Sequence, residues 1–186
     1  ITTAEIGDNS VIREFVTINR GTIDKFKTVI GKNCLIMAYV HAGHDCIVGN
    51  NVIIGNATQL AGHVIVDDFA IFGGSCAVQQ FIKIGAHSYI AGGSLIRKDI
   101  PPFVKAGREP VSYVGVNSVG LRRRGYTNEQ ISDIQETYRY LYLRKMNNSK
   151  ALEIIENQIR PSEERDEIVN FVRNSERGVM KGVYQD

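Results

Sequence analysis

The chain contains no tryptophan, four prolines and three cysteines in 186 residues. Cys34, Cys46 and Cys76 are odd in number, far apart and without Cys-X-X-Cys spacing, which speaks against a disulfide-stapled fold or a cysteine zinc motif. No signal peptide precedes them, so reduced, buried thiols in the cytosol are expected. No apolar run approaches the roughly 18 residues that span a bilayer. Neither sign of charge is in excess: 22 basic side chains stand against 20 acidic ones, and a net +2 gives no bulk reason to expect nucleic acid or membrane. What is present is 43% hydrophobic residues, too many for a disordered chain, and a length that suits one domain or one domain with a small appendage. Eighteen glycines ask for a structural cause. The first residue is Ile1 rather than Met, which points to a chain cut or processed ahead of it.

The composition is uneven. Residues 1–100 hold 12 of the 18 glycines, all four histidines, all three cysteines and 16 charged residues; residues 101–186 hold no histidine or cysteine and 26 charged residues. The seam falls at Ile100-Pro101-Pro102, where two prolines remove backbone donors.

Stepping by six from Ile30 gives Ile30, Ile36, Ala42, Val48, Ile54, Leu60, Val66, Phe72, Val78, Ile84, Ile90 and Ile96, all apolar. Chance would give such a run about once in 25,000 trials for one phase. Ile6, Ile12 and Ile18 share the phase, and Asp24 breaks it within a charged stretch, residues 24–27, read as a projecting loop. Glycine often follows the ladder position (Gly31, Gly43, Gly49, Gly55, Gly73, Gly85), while small or β-branched residues, including all three cysteines, precede it by two. A period of six suits neither an amphipathic helix nor an alternating strand. It suits a parallel β-helix in which each hexad is one short strand and a corner, with the aliphatic inward and glycine where the turn requires positive φ.

Three of the four histidines lie close together, His41 and His44 in Val40-His41-Ala42-Gly43-His44-Asp45 and His63 in Leu60-Ala61-Gly62-His63. If a coil takes three hexads, Gly62 stacks on His44, Gln80 on Gly62 and His63 on Asp45. An imidazole beside a carboxylate suggests a general base held in one orientation, and an unhindered Gly N–H could stabilise an oxyanion. No Ser or Cys is poised as a nucleophile, so direct attack by an acceptor hydroxyl is the simpler scheme. On spacing alone, solvated corner histidines or a Zn²⁺ site on His41, His44 and His63 remain open. His87 reads as a structural corner residue.

The strings His41-Ala42-Gly43-His44-Asp45-Cys46, Asn56-Ala57-Thr58-Gln59-Leu60-Ala61-Gly62-His63-Val64, Ile84-Gly85-Ala86-His87 and Gly120-Leu121-Arg122-Arg123-Arg124-Gly125 resemble the UDP-N-acetylglucosamine acyltransferase family. The resemblance implies a three-sided, left-handed parallel β-helix of hexapeptide repeats followed by a C-terminal helical domain. It also implies a cytoplasmic homotrimer with clefts between subunits. The implied activity is transfer of a 3-hydroxyacyl chain from acyl carrier protein to the 3-hydroxyl of UDP-N-acetylglucosamine. That reaction opens lipid A biosynthesis and uses no metal or redox cofactor. By the same resemblance His44 is the general base, Asp45 orients it and the Gly62 N–H supports the oxyanion. His41, His63 and Gln80 would line the substrate cleft, Gly92 would limit acyl length, and Asn117, Arg123 and Arg124 would lie near the nucleotide, where guanidinium groups suit a diphosphate. Gln79 and Val119 depart from the family pattern, which reads His and often Glu at those places. Family members also carry coils ahead of the segment matching Ile1, and the chain is expected to lack them. The alternatives are the related N-acyltransferase acting on UDP-3-O-acylglucosamine and a non-catalytic hexapeptide scaffold.

The expected domains are a β-helix over residues 1–100, a connecting segment over 101–126 and a helical domain over 127–186. Thr127-Asn128-Glu129-Gln130 has the form of a capping box ahead of Ile131, Ile134, Tyr138 and Leu141 at helical spacing. Ser149 is expected to cap a second helix carrying Leu152, Ile155 and Ile159, and Pro161-Ser162 to start a third carrying Ile168, Val169 and Val172. Arg122, Arg139, Arg144 and Lys145 form a wider basic face that could dock acidic acyl carrier protein.

Overall fold

The computed structural model describes residues 1–144 and 146–182. Short strands wind as a parallel solenoid with three sheet faces. One face stacks Thr3–Ile6, Lys27–Ile30, Ile47–Val48, Ile65–Val66 and Lys83–Ile84. A second runs from Val11–Ile12 through Leu35–Ile36, Ile53–Ile54 and Ile71–Phe72 to Tyr89–Ile90, and a third from Thr17–Ile18 through His41–Ala42, Gln59–Leu60 and Ala77–Val78 to Leu95–Ile96. The vertical step is 18 residues, as in Ala42↔Leu60 and Ile47↔Ile65, so three hexads do make a coil. All twelve ladder residues from Ile30 to Ile96 are buried. So are the small residues two places earlier, several of whose polar groups bond to backbone: Thr28 Oγ1 accepts from the Asp45 N–H at 2.9 Å, and Cys46 Sγ contacts the Ala61 carbonyl at 3.1 Å. The described cysteines are free and buried, and burial pushes the Cys46 thiol up to about 11.

Two readings of the hexad need correction. Positive φ falls three residues after the ladder position and is carried by Asn33, Tyr39, Asp45, Asn51, Ala57, His63 and Phe69, among others, not by the glycines that follow the ladder. Those glycines are needed for close approach of neighbouring coils: a Cβ on Gly31 would lie 2.3 Å from the Gly49 carbonyl oxygen. Second, the break around Asp24 lengthens the first coil to a step of 24, Thr17 pairing with His41. The extra hexad, within residues 19–26, does not simply project. Its Gly21 is buried, and its Thr22 turns back onto the solenoid corner.

Solenoid pairing continues past residue 100. Val104–Gly107 adds to the second face through Tyr89↔Lys105 and turns into an antiparallel partner, Ser112–Val116. Among the described residues four helices follow: α1 (Ser118–Arg123), α2 (Asn128–Tyr142), α3 (Asn148–Gln158) and α4 (Glu163–Arg173). Thr127 and Gln130 form the expected capping box, and Ser162 caps α4. The cap of α3 is Asn147, which accepts from the Lys150 N–H at 2.8 Å, and Ser149 lies inside the first turn. An Asn side chain caps as well as a Ser, so the residue just ahead of the turn takes the place. The expected stripes, Ile131, Ile134, Tyr138 and Leu141 on α2 and Ile168, Val169 and Val172 on α4, are buried. Tyr138 ties this layer to the solenoid through a 2.6 Å bond to the Pro102 carbonyl.

Candidate active site

Asp45 organises the corner between the third and first faces. Its own φ is 60°, and its side chain has no exposed surface. Thr22 supplies two donors to it: the backbone N–H to Oδ1 at 2.8 Å and Oγ1 to Oδ2 at 2.6 Å. His44 Nδ1 lies 2.8 Å from Oδ2, and His63 Nε2 stands 3.5 Å from the same oxygen. Burial by itself would raise the Asp45 carboxyl. The hydrogen bonds from the Thr22 hydroxyl, His44 and the Thr22 N–H outweigh it and hold the group at about 2. Asp45 is therefore an ionised, acceptor-only group at neutral pH, so the proton in the His44–Asp45 bond sits on Nδ1 and the Nε2 lone pair is left for chemistry.

His44 is 39% exposed and borders a groove of ≈ 490 Å³ lined also by Asn19, Arg20, Thr22 and Ile23. Its ring fills the space over Gly62, where a Cβ would stand 2.6 Å from Cε1 and Nε2. His63 is locked more tightly. It meets His44 edge-on at 5.1 Å, stacks on Phe81 at 4.8 Å and has Asp24 Oδ2 3.5 Å from its Nδ1. His41 sits on the adjoining strand with Nδ1 2.7 Å from Thr17 Oγ1. Gln80 stacks above Gly62 in the coil register, the Phe81 N–H bonding the Gly62 carbonyl at 3.2 Å. Among the described residues, the group close enough to share a metal ion is His44, Asp45 and His63, without His41.

The other sequence-predicted residues lie elsewhere on this protomer. Gly92 is exposed on the corner between the second and third faces, stacked on Gly74. Asn117 caps α1 at the third corner and donates from Nδ2 to the His87 carbonyl at 2.9 Å. Arg124 Nη2 bonds the Phe69 carbonyl at 3.0 Å, its guanidinium lies over the Phe69 ring, and Arg123 beside it is exposed. His87 is a corner packing residue, stacked between Phe69 and Phe103. Of the wider basic face, Arg122 bonds Asn128 and Arg144 lies 3.9 Å over the Tyr140 ring, while Lys145 falls outside the described residues. Thr22 and Asp24 are the site residues the sequence reading passed over. The available signal was the length of the break: one whole hexad inserted one coil away from the histidines.

A solenoid of stacked hexads carrying an imidazole–carboxylate pair at an open corner defines a hexapeptide-repeat acyltransferase scaffold. Residues 27–62 match the bacterial transferase hexapeptide family (six repeats), and residues 99–180 match the second domain of UDP-N-acetylglucosamine O-acyltransferase. An acyl-(acyl-carrier-protein)–UDP-N-acetylglucosamine O-acyltransferase of Burkholderia orbicola (strain MC0-3) is 44% identical over 185 residues, covering 95% of this chain and 69% of the relative. Among solved structures, the UDP-N-acetylglucosamine acyltransferase of Bacteroides fragilis 9343 superposes with a TM-score of 0.95 at 49% identity, over 97% of this chain and 71% of that one. The Francisella novicida enzyme gives 0.91 at 38% identity, over 96% and 66%. The chain belongs to the UDP-N-acetylglucosamine O-acyltransferase family.

Proposed function

We propose that the protein transfers a 3-hydroxyacyl chain from acyl carrier protein to the 3-hydroxyl of UDP-N-acetylglucosamine, the first step of lipid A biosynthesis. Family membership supports the activity, and the 2.8 Å contact between His44 Nδ1 and the buried Asp45 carboxylate carries the mechanism. His44 Nε2 takes the 3-hydroxyl proton as the sugar oxygen attacks the thioester carbonyl. Asp45 stabilises the imidazolium that results. The Gly62 N–H, which makes no hydrogen bond among the described residues, is available to the tetrahedral oxyanion. Collapse breaks the carbon–sulfur bond and the imidazolium returns its proton to the departing thiolate. No atom changes oxidation state, so the scheme uses no redox cofactor, and it uses no metal.

His41, His63 and Gln80 border the acceptor on this reading, and Gly92 and the Asn117–Arg123–Arg124 group serve the acyl chain and the diphosphate. These three sets occupy three different corners of one protomer, so a single cleft can combine them only across a subunit boundary. That placement supports a homotrimer whose sites lie between neighbours. Acyl carrier protein as donor and three reduced, buried thiols support a cytoplasmic location; among the described residues no helix is long and apolar enough to cross a membrane. Arg122, Arg139 and Arg144 are the docking face for the carrier protein, and charge reversal at Arg139 and Arg144 should raise its KM. The test of the activity is incubation with 3-hydroxyacyl carrier protein and UDP-N-acetylglucosamine, which should yield the 3-O-acylated sugar nucleotide with wild type and not with His44→Ala. Equal turnover by both would remove His44 from the mechanism, and none by either would return the chain to a scaffold.

A further inference from the structure

A general base oriented by a carboxylate works only if the carboxylate is itself held. Asp45 is fully buried, in contact with Thr22 and His44 of the groove, and its two oxygens have different partners. Oδ1 takes the Thr22 N–H at 2.8 Å, while Oδ2 takes the Thr22 hydroxyl at 2.6 Å, with His44 Nδ1 at 2.8 Å and His63 Nε2 at 3.5 Å. Thr22 therefore grips both ends of the carboxylate and fixes its plane. It also decides which oxygen faces the imidazole. Thr22 Oγ1 is itself oriented, because it accepts the Asp24 N–H at 3.2 Å and so turns its proton toward Asp45. Asp24 in turn approaches His63 Nδ1 at 3.5 Å.

We infer that Thr22 is a positioning residue for acyl transfer, and that the hexad inserted within residues 19–26 exists to deliver it to Asp45. The inference rests on the proposed transferase reading and deepens it. A regular 18-residue first coil has no segment free to fold back on this corner; the 24-residue step supplies one. The Thr22 hydroxyl touches neither donor nor acceptor in this scheme. It acts through Asp45 on His44.

The hydroxyl can be removed without changing side-chain shape by Thr22→Val and retained in Thr22→Ser. The expected result for Thr22→Val is a kcat lower by about tenfold or more, part of the roughly 10²–10⁴ that a positioned general base contributes. KM for UDP-N-acetylglucosamine should stay within about twofold, because the hydroxyl acts on the base and not on substrate binding. Thr22→Ser should restore the rate. Wild-type kcat in Thr22→Val overturns the inference, and so does an equal loss in Thr22→Ser, since the hydroxyl would then not be the agent. Should Thr22→Val fail to fold, Thr22→Ala and Thr22→Ser carry the same comparison. A second readout needs no activity: the downfield ring N–H proton of His44, seen by NMR of histidine-labelled protein, should be present in wild type and Thr22→Ser and lost in Thr22→Val. If wild type shows no transfer, the transferase reading falls, while this resonance still decides whether Thr22 holds the pair; its persistence in Thr22→Val overturns the inference.

Discussion

The His44 imidazole occupies the space that a side chain on Gly62 would fill, with Cε1 and Nε2 both 2.6 Å from the position of a Gly62 Cβ. Gly62 lies outside the positive-φ positions, so alanine there is sterically forbidden only by the ring. Gly62→Ala keeps the backbone N–H and pushes the imidazole off its seat over the groove. Displacing a reacting group by about 1 Å costs on the order of 10²-fold in rate, which is the loss expected in kcat, with a thermal midpoint near wild type because the ring is partly exposed. An unchanged kcat would mean that His44 reacts from another position.

Asp45 links the site to acid stability. Its folded value, about 2, lies below the ordinary 3.8, chiefly through the Thr22 and His44 hydrogen bonds that overcome burial. The unfolded chain thus binds its proton first as pH falls, and the stabilisation, complete above about pH 4, disappears as pH drops through 2. Asp45→Asn should lack that part of the acid denaturation profile in urea titrations between pH 4 and pH 2. The same variant places an amide donor against His44 Nδ1–H or forces the other tautomer, so kcat should fall by at least about 10²-fold.

His87 answers in a different window. Burial, with Arg124 alongside, pushes it down to about 4 from the ordinary 6.5, and its Nδ1 is buried without a hydrogen-bond partner. The folded state therefore favours the neutral ring. The stabilisation is complete above pH 6.5 and is lost as pH falls toward 4. Glu167, raised to about 7 by burial, Asp67 and Glu164, works with the opposite sign between pH 7 and its ordinary 4.5, so the whole-protein profile conceals both. The difference between wild type and His87→Phe isolates the histidine, because Glu167 is common to both. The phenyl ring suits the stack between Phe69 and Phe103, and the variant should gain stability over wild type as pH is lowered from 7 to 4.5, read from urea midpoints.

The solenoid was legible because every hexad meets the same environment. Ile30 and Ile96, eleven steps apart, face one continuous core and obey one rule. His44, Asp45, Gly62 and His63 were legible because an 18-residue step converts sequence spacing into vertical contact. Thr22 was not, since an inserted loop has no period and its contact with Asp45 spans 23 residues. The glycines were misassigned because positive φ and close backbone approach both favour glycine, and only coordinates show which applies. At the positive-φ place the chain uses Asn, Asp, His, Phe and even Ala57, while Gly31 stands where the next coil leaves no room. Gly92 and Arg123 could be named only through motif resemblance, because no spacing rule relates one corner of a solenoid to another.

That reassignment makes a paired prediction. Gly31→Ala introduces a Cβ 2.3 Å from the Gly49 carbonyl oxygen and 2.5 Å from its carbon, both backbone atoms of the next coil that cannot rotate away. The coils must separate locally, and a loss of about 1–3 kcal/mol is expected, the usual range for overpacking a tight interior. Ala57→Gly acts the other way. Ala57 is exposed, has φ of 60° and keeps its N–H bond to the Ala38 carbonyl at 2.9 Å, so removing its Cβ relieves left-handed strain without costing a contact. The strain of about 1–2 kcal/mol is offset by the roughly 0.5–1 kcal/mol of extra chain entropy that glycine brings to the unfolded state, so Ala57→Gly should be neutral or slightly stabilising. Chemical denaturation of both variants against wild type checks the pair. A tolerated Gly31→Ala together with a destabilising Ala57→Gly would show that turn conformation, not coil approach, sets where glycine is required.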